Sequence, residues 1–283
     1  MKIQNKMKAG IIGYPLGHTL SPTIHNSAFN ELGYNIDFQI WETEEKLLKD
    51  KIQSLRNENV LGCCITLPYK KKVMQYLDNI DNSATEIDAI NWIINKNGIL
   101  SGYNTDWLGF INSLDFYKKS IKNKTALIIG AGGSAKAICQ GLIKGKVKSI
   151  IISNRTLQKA EEIKELFANN QTDIKIMDFK ELNNLTTLKE IDLIINATSL
   201  GMTGGPDPKK SPIDTRLLNT RALCYDLVYS PQITPFLRDA KNNKIDTIGG
   251  LSMLVFQAAS GFELLTNKKA PINTMLGSVG IKL

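Results

Sequence analysis

The chain has 283 residues, 42% hydrophobic and 22% charged, the balance of a globular protein rather than a disordered or membrane-spanning one. Its formal net charge of +8 raises the question of nucleic acid, but the lysines are spread along the whole chain with no basic stripe interleaved with aromatics. A lysine-rich bias, or a cleft tuned to a small anionic substrate and an anionic cofactor, fits better. Four cysteines without a CxxC pair and only two histidines argue against a disulfide framework and a structural zinc site, and point to a reducing compartment.

The N-terminal "MKIQNKMKAGIIG" has no apolar core long enough for a signal peptide and enters a strand-like run at once, so a cytoplasmic location is expected. "KAGIIG" predicts a strand, and "SPTIHNSAFNEL" a helix with Ser21 at its N-cap and Pro22 at its first position. "IDFQIW" is a strand, followed by a helical stretch from Glu44 to Asn57. "NVLGCCITL" is a further strand, and "PYKKKVMQYL" opens a helix. "DAINWIIN" and "GILSGYNT" read as two strands joined around "KNG", a hairpin signal. Strands alternating with helices imply a largely parallel sheet.

A second α/β unit starts near residue 106, where Asp106 can cap the helix "WLGFINSL". The apolar strand "TALIIG" runs into "AGGSAKAICQGLI", followed by the strand "VKSIIISN", the helix "TLQKAEEIKELFA" and the strand "EIDLIINATS". "GMTGGPDPKKSP" is a loop by composition, "RALCYDLVYS" a strand with its exit, "TPFLRDAKNN" a helix, and "GGLSMLVFQAASGFELL" a long apolar helix. There is no internal repeat.

Two constellations carry chemistry. "GAGGSA" fits GxGxxA, with Gly130, Gly132 and Ala135 in the key places, between a predicted strand and a predicted helix. That context lets backbone N–H groups and a helix N-terminus meet a pyrophosphate. The plainer alternative is a Gly-rich packing turn. At the end of the next strand, where an acid would hold a ribose 2′-hydroxyl, "SNRTLQK" has no carboxylate and offers Arg155 and Lys159. NADP(H) is therefore the expected cofactor. The second constellation is a set of polar residues at strand ends: Ser21, Thr66, Lys70, Asn91 and Asp106. Lys70 can move a proton to or from a substrate oxygen, and Asp106 can orient it.

Nine segments in order and approximate register, "GYPLGHTLSPTIHN", "ITLPYK", "AIN", "GYNTD", "GAGGSAKA", "NRTLQKA", "INATSLGM", "YSPQITPFL" and "GGLSMLVFQA", resemble the shikimate dehydrogenase family from Gly10 to Glu263. The resemblance implies an α/β protein of two domains. Residues 1–105 would bind substrate and carry catalysis, residues 106–249 would form an NADP-binding Rossmann domain, and residues 250–283 would be helices returning to the first domain. It implies NADPH-dependent, reversible reduction of 3-dehydroshikimate to shikimate. Lys70 falls on the family's catalytic lysine and Asp106, also a substrate contact, on its partner. Thr19 and Ser21 match the substrate-carboxylate pair, and Thr66, Asn91, Tyr229 and Gln257 match further substrate contacts. Gly130, Ala131, Gly132, Gly133, Ser134, Asn154, Arg155, Thr156, Lys159, Leu227 and Gly250 match cofactor contacts. No metal is implied, the partner is a small molecule rather than nucleic acid or membrane, and the assembly is a monomer or a homodimer.

The sequence departs from the pattern at five places. Thr19 replaces a serine, Cys64 an asparagine, Asp88 a glycine, Trp92 a threonine and Lys159 an arginine. Two alternatives therefore stand beside the main reading: an NAD-using quinate/shikimate dehydrogenase, and a catalytically impaired NADPH-binding sensor. His18 and His25 read as structural hydrogen-bonders, Lys71 and Lys72 as solvated residues, and Cys63, Cys139 and Cys224 as residues without special chemistry.

Overall fold

In the computed structural model the structure describes residues 6–17, 19–183 and 188–282. The chain forms two compact units, Met1–Gly109 with Val255–Leu283, and Phe110–Leu254. His18 lies outside the described residues. Among the described residues no helix is long and apolar enough to cross a membrane.

The first unit is built on a six-stranded sheet. Its strands are β1 (Met7–Gly13), β2 (Ile36–Glu42), β3 (Val60–Ile65), β4 (Asn79–Ile80), β5 (Trp92–Lys96) and β6 (Ile99–Tyr103), in the order β2-β1-β3-β5-β6-β4. Strand β1 runs parallel to β2 and β3, whereas β3, β5 and β6 are antiparallel neighbours. The sheet is thus mixed rather than largely parallel. The Asn97-Gly98 turn, both residues at positive φ, folds β6 straight back on β5. Helices α1 (Ser21–Glu31), α2 (Leu48–Ser54), α3 (Asn82–Thr85) and the start of α4 (Asp106–Phe116) belong here, with most of α8 (Leu251–Thr266) and all of α9 (Ile272–Gly277).

One expected helix does not form. "PYKKKVMQYL" yields only a five-residue 3₁₀ turn, Lys72–Tyr76. The Lys70 carbonyl accepts from Ile90 N at 2.7 Å instead of from the next helical turn, and Met74 N turns to Lys71 O. Lys71 and Lys72 are exposed, as read, but each has a partner: Lys71 meets Asp88 and Lys72 meets Glu45, both at 2.6 Å. Asp88 takes φ 53, the left-handed conformation that glycine adopts without cost.

An aromatic nucleus fills the space between this sheet and its helices. Trp92, wholly buried, packs with His25 of α1, Phe38 of β2 and α8. Nearby, Phe29 of α1 and Phe262 of α8 pack against each other at 5.2 Å between ring centroids. Trp92 fits because residue 261 is glycine: a Cβ there would stand 2.0 Å from Trp92 Cε2. His25 stacks on Phe38 at 4.3 Å and meets Trp92 edge-on at 5.2 Å. Its ring nitrogens are buried without a hydrogen-bond partner, which corrects the hydrogen-bonding role expected of it. Burial alone lowers its pKa to about 3, so it is neutral at physiological pH.

The second unit holds six parallel strands, β7 (Thr125–Ile129), β8 (Ser149–Asn154), β9 (Asp173–Asp178), β10 (Leu193–Asn196), β11 (Leu223–Asp226) and β12 (Asp246–Gly249), in the order β12-β11-β10-β7-β8-β9. This is the doubly wound dinucleotide-binding order, with its switch point between β7 and β10. Helices α5 (Gly133–Lys144), α6 (Leu157–Leu166) and α7 (Pro235–Asn242) belong to it. Both faces of the sheet are buried, which is why its strands read as unbroken apolar runs. In β7, Ala126 and Ile128 enter one core with Phe110, Ile138 and Tyr225, while Leu127 and Ile129 enter another with Phe236 and Leu237.

Candidate functional site

In the first unit the polar residues gather beyond the carboxyl ends of β1 and β3. Thr66 follows β3 and its amide donates to Ile12 O at 2.9 Å, so the two strand ends stay side by side. A Cβ on Gly13 would meet the Thr66 methyl at 2.5 Å, so the absence of a side chain at residue 13 lets Thr66 sit there. Backbone bonds then converge on one residue: Ile65 N donates to Asn91 O at 2.7 Å, and Asn91 N to Tyr103 O at 3.0 Å. With Ile90 N on Lys70 O, these bonds bring together three segments far apart in sequence, 65–70, 90–91 and 103–106.

Their side chains close the arrangement. Lys70 Nζ donates to Asp106 Oδ2 at 2.5 Å, with the lysine side chain 15% exposed. The other carboxylate oxygen, Oδ1, accepts from Asn91 Nδ2 at 2.8 Å. Asn91 Oδ1 in turn accepts from Thr105 N at 2.8 Å, and Thr105 Oγ1 donates to Gln257 O of α8 at 3.0 Å. Asn91 Nδ2 also faces Gln257 Oε1 at 3.3 Å. Asp106 is the first residue of α4 rather than its N-cap, and its carboxylate serves Lys70 and Asn91 instead of the helix end. Thr105 was not singled out from the sequence, although it lies inside "GYNTD"; its signal was the motif rather than any property of a lone threonine.

Ser21 is likewise the first helical residue, with Leu20 in the cap position and no side-chain cap bond. Its amide donates to Thr19 Oγ1 at 3.3 Å, so the two hydroxyl residues are held together. Cys64 of β3 is buried with its thiol hydrogen-bonded to the Ser21 side chain, in the field of Lys70 and Asp106. Burial, with a smaller push from Asp106, takes this thiol up to about 12 despite Ser21 and Lys70, so it is a neutral, unreactive group in the site wall. Among the described residues no cluster of histidine, cysteine and carboxylate side chains is arranged to hold a metal ion.

The second unit carries the dinucleotide features. Gly130 follows β7 at φ +109, and a Cβ there would come within 2.9 Å of the Ala197 backbone, so only glycine turns here. Gly132 caps α5, and a Cβ on Gly132 or Gly133 would meet nothing within 4 Å. The N–H groups of Gly133 and Ser134 open the helix without an i−4 acceptor, next to half-buried Ala131. The cradle therefore fits a pyrophosphate. At the end of β8, Asn154 Nδ2 donates to Thr156 O at 2.8 Å, fixing the turn from which exposed Arg155 and Lys159 project. Gly250 fits against the Leu227 carbonyl, 2.2 Å from where its Cβ would stand, so packing explains it as well as ligand approach does. Tyr229 follows β11 in this second unit, whereas the other residues read as substrate contacts belong to the first.

Sequence reasoning missed one buried group. Asp226, the last residue of β11, is wholly buried. It accepts from Asn196 Nδ2 at 2.9 Å, Val228 N at 3.0 Å and Thr234 Oγ1 at 2.6 Å. Burial raises its pKa to about 6 against the effect of these donors. A carboxylate within the apolar run "LCYDLV" was the signal available.

A dinucleotide cradle on one sheet and a lysine–carboxylate pair beyond the strand ends of another define a class: two-unit α/β oxidoreductases that use a nicotinamide cofactor. Comparison with known proteins narrows the class. The family model described as the shikimate dehydrogenase substrate binding domain matches residues 11–93, that of shikimate / quinate 5-dehydrogenase residues 115–247, and that of the shikimate 5′-dehydrogenase C-terminal domain residues 250–279. A shikimate dehydrogenase (NADP(+)) of Caldanaerobacter subterraneus subsp. tengcongensis is 40% identical over 95% of both chains. A shikimate dehydrogenase crystallised with NADP+ is 33% identical, with a TM-score of 0.90 over 97% of this chain and 94% of that one. The Thermus thermophilus enzyme solved with NADP(H) and shikimate is 30% identical, with a TM-score of 0.86 over 96% and 98%. The chain belongs to the shikimate dehydrogenase family.

Proposed function

We propose that this protein is an NADP-dependent shikimate dehydrogenase, reducing 3-dehydroshikimate to shikimate reversibly in chorismate and aromatic amino-acid biosynthesis. The observation that carries this reading is the Lys70–Asp106 pair, 2.5 Å apart and braced by Asn91. When bound, NADPH supplies a hydride for the ketone carbon. Lys70 Nζ supplies the proton to the oxygen that becomes the hydroxyl, and recovers it in the reverse direction. Asp106 Oδ2 holds the ammonium in one orientation, and Asn91 fixes the carboxylate through Oδ1. Thr19 and Ser21 bind the substrate carboxylate, while Thr66, Asn91, Tyr229 and Gln257 bind its hydroxyls and ring.

In the second unit, Gly130, Ala131, Gly132, Gly133 and Ser134 would hold the pyrophosphate. Asn154, Arg155, Thr156 and Lys159 would hold the 2′-phosphate side, with Leu227 and Gly250 lining the nicotinamide end. The missing carboxylate after β8 and the exposed Arg155 and Lys159 support NADP(H) over NAD(H). Four free, buried cysteines suit a reducing compartment, and we assign the enzyme to the cytoplasm.

The test is Lys70→Ala beside Lys71→Ala. Turnover of shikimate with NADP+ should fall by about 10²–10⁴-fold in the first and stay within about twofold in the second. Equal activity of the two variants would remove Lys70 from the mechanism.

A further inference from the structure

We propose that Asp226 is a positioning residue for the cofactor: one buried carboxylate that fixes two segments at the dinucleotide crevice and thereby sets NADPH affinity. The inference rests on the reading above that the second unit binds NADP(H).

Asn196 ends β10, directly beside the end of β7, and Ala197 N donates to Ile129 O at 2.8 Å. The residues after it press on the first glycine of the phosphate turn: the Cβ that Gly130 lacks would lie 2.9 Å from Ala197 O and 3.0 Å from Thr198 Cγ2. The shape of the 196–200 turn therefore sets the shape of the cradle. That turn is held by two side chains, Asn196 and Thr198. Asn196 Oδ1 accepts from Thr198 N at 3.1 Å and from Thr198 Oγ1 at 2.6 Å, and Thr198 Oγ1 accepts from Leu200 N at 3.1 Å.

The Asn196 amide is oriented from both ends: Thr198 N calls for Oδ1, while Asp226 Oδ1 at 2.9 Å, with Leu200 O at 3.3 Å, calls for Nδ2. An ionised carboxylate is an acceptor only, so the face of Asn196 turned toward Asp226 Oδ1 must be Nδ2. The same Asp226 Oδ1 accepts from Val228 N at 3.0 Å, which fixes the exit of β11. Leu227, at that exit, donates its N–H to Asn196 O at 3.0 Å and puts its carbonyl against Gly250. Asp226 Oδ2 accepts from Thr234 Oγ1, and Thr234 caps α7 through Leu237 N at 3.2 Å. Asp226 itself is wholly buried. Its three donors lead to the two segments beside the cradle and to the helix cap behind them.

The experiment measures NADPH binding directly, by fluorescence titration of the whole protein, for wild type, Asp226→Asn, Asp226→Ala and Thr198→Val. Steady-state kinetics and amide hydrogen exchange accompany it. Asp226→Ala should weaken NADPH binding by about tenfold or more, since it strands three buried donors, while kcat at saturating NADPH stays within about threefold of wild type. Exchange should rise at Thr198, Leu200 and Val228 and stay unchanged in β7. Asp226→Asn keeps an oxygen for Asn196 and Val228 and should bind within about threefold of wild type.

Undiminished NADPH affinity in Asp226→Ala overturns the proposal. So does exchange that rises across the whole 110–254 unit, with Asp226→Asn as impaired as Asp226→Ala, which is the mark of a merely structural residue. If Asp226→Ala does not fold, Thr198→Val decides: about threefold weaker binding upholds the proposal and wild-type affinity rejects it. A wild-type protein that does not bind NADPH contradicts the functional reading itself.

Discussion

His25 makes the stability of the first unit sensitive to acid, and the size of the effect follows from its burial. Its pKa is lowered from 6.5 to about 3, with burial the cause and no partner to offset it. Between those values the unfolded chain binds a proton that the folded chain refuses, so stability rises with pH across this window and is lost as pH falls below about 6.5. From pH 7 to 4.5 the loss is about 2.5 kcal/mol, the slope approaching roughly 1.4 kcal/mol per pH unit below pH 6. His25→Leu removes the titration while filling similar space against Phe38 and Trp92. At pH 7 the variant should equal wild type or exceed it, because two unpartnered buried nitrogens go with the imidazole.

Urea unfolding followed by tryptophan fluorescence isolates this unit, since Trp41, Trp92 and Trp107 all lie within Met1–Gly109. The variant should lose about 2.5 kcal/mol less than wild type between pH 7 and 4.5. Parallel losses in the two proteins would refute the argument.

Gly261→Ala places a methyl 2.0 Å from the Trp92 ring, and overpacking of this kind costs about 1–3 kcal/mol, read as a lowered thermal midpoint; an unchanged midpoint would mean that α8 shifts freely. Arg155→Ala should raise the KM for NADPH about tenfold with little change in kcat and little effect on NADH, because the role proposed for Arg155 is the 2′-phosphate contact alone; an equal rise for both cofactors would place Arg155 elsewhere on the dinucleotide.

The parts of the fold that were legible in the sequence are those where local and tertiary preferences agree. Strands β7, β8, β10 and β11 are apolar runs because the sheet is covered on both faces, and "GAGGSA" stands out because its backbone has little freedom to be otherwise. Strands β9 and β12 went unread. They are the sheet's edges, and their exposed positions carry Asp173, Lys175 and Asp246, which mask the strand pattern. Lys70 and Asp106 were legible from their place at strand ends, but Asn91 as the brace between them was fixed by backbone bonds across three segments. His25 misled for a plain reason: an imidazole normally seeks hydrogen bonds, and nothing local in "PTIHNSAF" announces the stack on Phe38. Asp226 showed only as a carboxylate in an apolar run, and its role was not legible because two of its partners lie thirty residues back and eight ahead, at Asn196 and Thr234.

The central claim concerns reaction and cofactor together, and one set of initial rates tests it: purified protein with shikimate or quinate, each with NADP+ or NAD+. Cys64 and Thr19, beside Ser21, make the choice of acid a genuine question. The account predicts that shikimate with NADP+ gives the highest kcat/KM, by about tenfold or more over any other pairing. Quinate with NAD+ as the best pair, or no turnover with any, would contradict it.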